Sequence, residues 1–211
     1  MYTRFLLFSI LAISCFTLQA QVPATPMKDV ADFRTKLEAM SKKVNTIESD
    51  FVQEKNLSVL TNKIISKGHF LYKKDNNIRW EYLQPYKYLI IISNNKIFIK
   101  EDQSQKQYDM QSKMFQEMNK FISGCIQGDI LKNDQEFKIT YYEDDQNYFV
   151  TLMPKAESMR KMLNEVHIWF NRSDLTVSKI KMLESGGDYT SIDFINKKLN
   201  TDIPVEKFIF K

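Results

Sequence analysis

Hydrophobic residues along this chain follow two rhythms in turn. In "MKDVADFRTKLEAMSKKV", Met27, Val30, Phe33, Leu37, Met40 and Val44 recur at spacings of three and four. That spacing lines them along one side of an amphipathic helix and turns the charged residues outward. From Asn45 onward the period becomes two. "TIESDFVQEKN" puts Ile47, Ser49, Phe51 and Gln53 on one face, and "IISKGHFLYKK" groups Gly68, Phe70 and Tyr72 against His69, Leu71 and Lys73. "IRWEY" sets Ile78, Trp80 and Tyr82 against Arg79 and Glu81. This is the alternation of strands with one buried face. "YKYLIIIS" departs from it, being apolar on both faces near its end. Asn94-Asn95 then tolerates the positive φ of a tight turn, and "KIFIK" returns.

A second helical stretch interrupts the strands. "SKMFQEMNKFISGCIQGDIL" gathers Met114, Phe115, Met118, Phe121, Ile122 and Cys125 along one side, with Gly124 and Gly128 as stops. Strands resume at "EFKITYY", "YFVTLMP", "EVHIWFN", "VSKIKML", "YTSIDFI" and "KFIFK", separated by the turn signals "EDDQN", "NRSD" and "ESGGD". The pattern predicts one α+β domain over residues 21–211, a large antiparallel meander of about eleven strands with few helices.

Residues 1–20 stand outside this scheme. Arg4, the apolar run "FLLFSILAISCFTL" and the exit "LQA" before Gln21 have the layout of a secretory signal, too short for a membrane span. Cleavage near Ala20 and export are therefore expected. An uncleaved anchor, or a lipid attached at Cys15 in "AISC", is the alternative. After cleavage Cys125 is the single thiol, so no internal disulfide is possible and packing alone must hold the fold.

Charge excludes one class of partner. The 30 basic and 26 acidic residues are scattered singly, without the stripe that nucleic acid requires. Catalytic residue types are scarce. His69 and His167 lie in predicted strands with no Cys, Asp or Glu at ligand spacing, and Asp144-Asp145 falls in a turn. No metal site, cofactor cradle or nucleophile motif emerges, and an enzyme is not expected. Methionine says more. Met110, Met114 and Met118 cluster, as do Met153, Met159, Met162 and Met182, and soft, rotameric side chains suit surfaces that accept irregular apolar guests.

The ordered set "FVQEK", "GHFLYKKDNNIRWEYLQPYKYLIIISNNKIFI", "VTLMPKA", "GGDYTSIDFINKKLN" and "IPVEKFIFK" resembles the LolA-type periplasmic lipoprotein carriers. The resemblance implies a curled, incomplete antiparallel β-barrel whose concave apolar face is covered by helices. Phe70, Tyr72, Trp80, Tyr82, Tyr88, Ile90 and Ile92 would form the wall of an acyl-chain cavity, and Met114, Phe115, Met118, Phe121 and Ile122 its helical cover. A wall strand packed behind as well as in front needs apolar residues on both faces, which accounts for "YKYLIIIS". Family carriers tie the cover with an arginine after the Gly-x-Phe strand; Lys74 stands there in this chain, a point charge without the guanidinium fork.

By the same resemblance the protein is a periplasmic monomer that takes acylated lipoproteins from an inner-membrane ABC transporter and carries them towards an outer-membrane acceptor, with no cofactor and no catalysis. Burial contributes roughly 0.8 kcal/mol per methylene, on the order of 12 kcal/mol for a chain of about sixteen carbons, so a movable cover is needed if cargo is to leave. Two rival readings on the same fold are a lipid-sensing regulatory module and a lipid-anchored acceptor.

Overall fold

The computed structural model describes residues 25–101, 104–109, 123–125 and 128–210. The expected signal and the expected cover residues Met114, Phe115, Met118, Phe121 and Ile122 lie outside the described residues. The chain enters through a two-residue strand, β1 (Thr25–Pro26), and the helix α1 (Val30–Lys43). Met27 precedes the helix rather than opening it, because the Asp29 carboxylate accepts the Asp32 N–H at 2.9 Å and caps the first turn. Lys42 and Lys43 occupy the last turn, where cations complement the helix dipole.

Six strands then run in sequence: β2 (Thr46–Asn56), β3 (Ile64–Lys73), β4 (Asn77–Gln84), β5 (Tyr88–Ser93), β6 (Lys96–Glu101) and β7 (Ser104–Asp109). After a crossing come β8 (Phe137–Glu143), β9 (Asn147–Pro154), a short helix α2 (Glu157–Arg160), β10 (Leu163–Asn171), β11 (Val177–Glu184) and β12 (Tyr189–Leu199). All twelve join one sheet, in the order β1-β8-β9-β10-β11-β12-β2-β3-β4-β5-β6-β7. Each pairing is antiparallel. Two meanders thus meet at β12 and β2, and the sheet stays open, with β1 and β7 as its edges. Without the tiny β1 the strands among the described residues number eleven, but β7 (Ser104–Asp109) is not among those the alternation predicts and takes the place of the expected strand "KFIFK" in that count. Asn94 and Asn95 both take positive φ, 49° and 62°, the signature of the expected β5–β6 turn.

One face of this sheet is buried along nearly its whole width. Phe70, Ile78, Ile92 and Ile97 on one half share a core with Val150, Ile168 and Phe170 on the other. A single helix is only about 10–12 Å across, so burial on this scale requires the sheet to curl around what covers it. α1 takes the β8–β10 side, where the Phe33 ring lies 4.6 Å from Tyr148 and 5.6 Å from Phe170.

One expected strand is corrected. "KFIFK" does not pair with the sheet; Val205–Phe208 forms a single 3₁₀ turn. Phe208 and Ile203 bury themselves against Ile91, with Leu71, Leu89, Phe98 and Phe210 around them. Leu71, Leu89, Ile91 and Phe98 are the outward residues of β3, β5 and β6. The terminal segment is what packs behind "YKYLIIIS", and the second apolar face of that strand exists to receive it.

Candidate functional site

The concave face between β2 and β6 carries an aromatic cluster whose construction begins at Gly68. In register, Gly68 stands opposite Phe51 on β2 and Tyr82 on β4, beside a register shift at Lys67. A Cβ there would sit 1.9 Å from the Glu81 carbonyl oxygen and 2.8 Å from a Phe51 ring carbon. Only glycine permits this approach. The rings close over it. Phe51 meets Trp80 at 5.4 Å and Tyr82 at 5.0 Å, and Phe70 meets Trp80 at 5.1 Å and Phe194 at 5.5 Å. All four contacts are edge-on, the arrangement the ring quadrupoles favour.

The seven wall residues expected from the sequence therefore do share one face. Phe70, Tyr72, Trp80 and Ile92 are buried, while Tyr82, Tyr88 and Ile90 are half-buried and pack at the same cluster's margin. Trp80 is 8% exposed, yet its indole Nε1–H has no hydrogen-bond partner among the described residues. Its neighbour Tyr82 donates to Gln53 Oε1 at 2.9 Å. At the loop end of β4 and β5, Tyr82 and Tyr88 reach an open hollow of about 710 Å³ shared with Leu83, Leu89, Lys87, Lys100 and Arg79.

Burial, and then the nearby Tyr88, pushes the Tyr82 phenol up to about 12. A free tyrosine titrates near 10, so the folded state holds this proton more tightly than the unfolded chain. Stability is unaffected by the group below about pH 10 and falls as pH rises towards 12. Urea midpoints at about pH 9 and about pH 11 should separate by the equivalent of about 1–2 kcal/mol more in wild type than in Tyr82→Phe.

Lys74 is exposed, and its backbone N–H donates to Asn45 O at 2.7 Å. Among the described residues, Asn76 of this turn touches the segment beyond residue 122: its Oδ1 accepts from Ser123 Oγ at 2.8 Å. Sequence reasoning missed Asn76; a positive φ of 64° marks it as a specialised turn position. Cys125 is fully buried in the same core, and burial pushes its thiol up. Each histidine has one carboxylate neighbour. His69 Nδ1 meets Asp50 Oδ1 across two strands at 2.5 Å, and His167 Nε2 meets Glu165 Oε2 at 3.1 Å. Each pair has two members, the first exposed and the second half-buried, and among the described residues no three His, Cys, Asp or Glu side chains are placed to hold a metal ion.

The family model of the outer membrane lipoprotein carrier protein LolA matches residues 42–211. The chain belongs to the LolA family. The outer-membrane lipoprotein carrier protein of Pseudomonas paraeruginosa (strain DSM 24068 / PA7) is 25% identical over 143 residues, 68% of this chain and 66% of that relative, so just under two thirds of the relative's length is spanned. Among solved structures, an uncharacterized conserved protein from Thermus thermophilus superposes with a TM-score of 0.54 at 6% identity, covering 84% of this chain and 94% of the other. The Pseudomonas aeruginosa MucA/MucB complex gives 0.51 at 11% identity, over 85% of this chain and 60% of the other. At such identities these two likenesses concern the fold. In this LolA-family chain the matched span contains every wall residue named above and omits most of α1.

Proposed function

We propose that this LolA-family protein is an exported, non-catalytic carrier whose single domain holds the acyl chains of lipoproteins against the concave face of the sheet. The observation that carries the reading is Trp80: an aromatic side chain at the centre of a continuous apolar wall, with a buried donor that nothing described satisfies. An unpaired buried N–H costs about 1–3 kcal/mol. The ester or amide carbonyl of an acylated cargo would satisfy it, while Phe70, Tyr72, Ile90 and Ile92 take the hydrocarbon and Tyr82 and Tyr88 stand at the margin. Met114, Phe115, Met118, Phe121 and Ile122 would supply the cover, with Lys74 or Asn76 at its hinge end. Removal of residues 1–20 would leave this domain in the periplasm, between an inner-membrane ABC transporter and an outer-membrane acceptor.

Trp80 also provides the test. The other tryptophan, Trp169, lies half-buried beside Phe149 and under Lys179, on the opposite sheet face. In Trp169→Phe, emission reports Trp80 alone, and a palmitoyl chain brominated along its length should quench it saturably by about half or more, since bromine quenches within van der Waals contact. Absence of quenching at saturating ligand would defeat the acyl-site reading. Cells should in parallel yield the protein with acylated proteins bound; a stable complex with one membrane regulator instead would favour the sensor.

A further inference from the structure

The two ends of the sheet are chemically unlike. The register places the β2–β3 loop (57–63), the β4–β5 loop (85–87), the β9–β10 connection (155–162) and the β11–β12 turn (185–188) at one end. Val59, Leu60, Leu83, Tyr86, Met153 and Met162 all gather there, exposed; Val59 and Tyr86 are 86% and 81% open. The turns at the other end, 74–76, 94–95, 144–146 and 172–176, consist of Lys, Asp, Asn, Gln, Arg, Ser and Thr apart from Leu175, which is half-buried and packs against the core. Loop tips ordinarily look like the second set. The three apolar-tipped loops also carry Lys63, Lys87, Lys155, Arg160 and Lys161 against the single acid Glu157. Asp188 of the fourth turn accepts the Ser58 N–H at 2.6 Å, which fastens two neighbouring loops together.

We infer that this end of the sheet docks on an anionic phospholipid surface, with Val59, Leu60, Tyr86 and Met162 entering the headgroup region and the lysines at phosphate level. Separated tips, each next to a cation, do not form the continuous, tightly packed patch that a protein partner of standard size buries. An interfacial lipid layer accepts scattered apolar tips at shallow depth, favours tyrosine, and rewards each nearby cation. The hollow lined by Leu83, Leu89, Lys87, Lys100 and the Arg79–Glu81 ion pair opens beside the same loops, and its two lysines leave it net cationic where the headgroups would lie. None of the inserting residues belongs to the acyl wall, so this inference stands independently of the carrier reading.

The protein, in the form its cells process it to, should co-sediment with vesicles of phosphatidylethanolamine and phosphatidylglycerol at low salt. It should bind phosphatidylcholine vesicles at least about tenfold more weakly and leave anionic vesicles as salt is raised. Val59→Ser/Leu60→Ser/Tyr86→Ser should lose about tenfold in vesicle affinity while Trp80 quenching by brominated acyl chains is unchanged, which also certifies its fold. Lys87→Glu/Lys161→Glu, which keeps the apolar tips, should lose a similar factor. Failure of wild type to bind anionic vesicles, or equal binding by the serine variant, overturns the inference even if acyl quenching succeeds.

Discussion

Gly68→Ala is expected to cost at least about 3 kcal/mol of folding stability, and Gly68→Val to leave little folded protein. The methyl would lie 1.9 Å from the Glu81 carbonyl oxygen, on a paired neighbouring strand. Real contacts of that kind do not go much below 3 Å. The obstruction is backbone, held by the β3–β4 and β4–β5 ladders, so no rotamer change relieves it. Separating the strands would also part Phe51, Trp80 and Tyr82, whose edge contacts depend on this approach. Shrinking the second obstacle with Phe51→Leu should therefore rescue little. Chemical denaturation of the single and double variants measures both claims, and a loss below about 1 kcal/mol for the alanine would show the close approach to be relaxed at no cost.

The next largest effect is expected behind the wall. Phe208 is 2% exposed and Ile91 1%, although one lies near the end of the chain and the other on the outward face of β5. Phe208→Ala empties the centre of that second small core, for about 3–4 kcal/mol. Its functional signature should differ from that of Gly68→Ala. Ile90 and Ile92 face the other way and keep their places, so whatever fraction remains folded should still let brominated acyl chains quench Trp80. A variant that stays fully stable would mean the terminal segment rests on the sheet without supporting it.

Particular elements explain what could be read in advance. α1 was legible because its apolar spacing suits only a helix, though the spacing drew Met27 into it and Asp29 set the true start. Strands β2 to β4 were legible because alternation at period two assigns each residue to a face; β5, apolar on both, gave no such assignment, and the seven expected wall residues come from the family resemblance. "KFIFK" was misread because a short apolar run has no period that separates a strand from a turn lying on one. The faces of the site were thus readable but not its depth, which depends on what faces Trp80 across the core. His69 and Asp50 lie on consecutive strands, and the cross-strand register that joins them is a property of pairing, not of pattern.

The order of strands has a consequence for how such a chain comes into being. At the middle of the sheet, β2 pairs with β12, so Asn56 waits for Tyr189 and Ile47 for Leu199. Every other neighbouring pair from β2 to β7 is local, but those hairpins lack their central partner until residues 189–199 have left the ribosome. Contacts so distant in sequence form late and slowly. A nascent chain of this topology stays without its completed core until β12 is made, and that strand is the one that locks the two halves together.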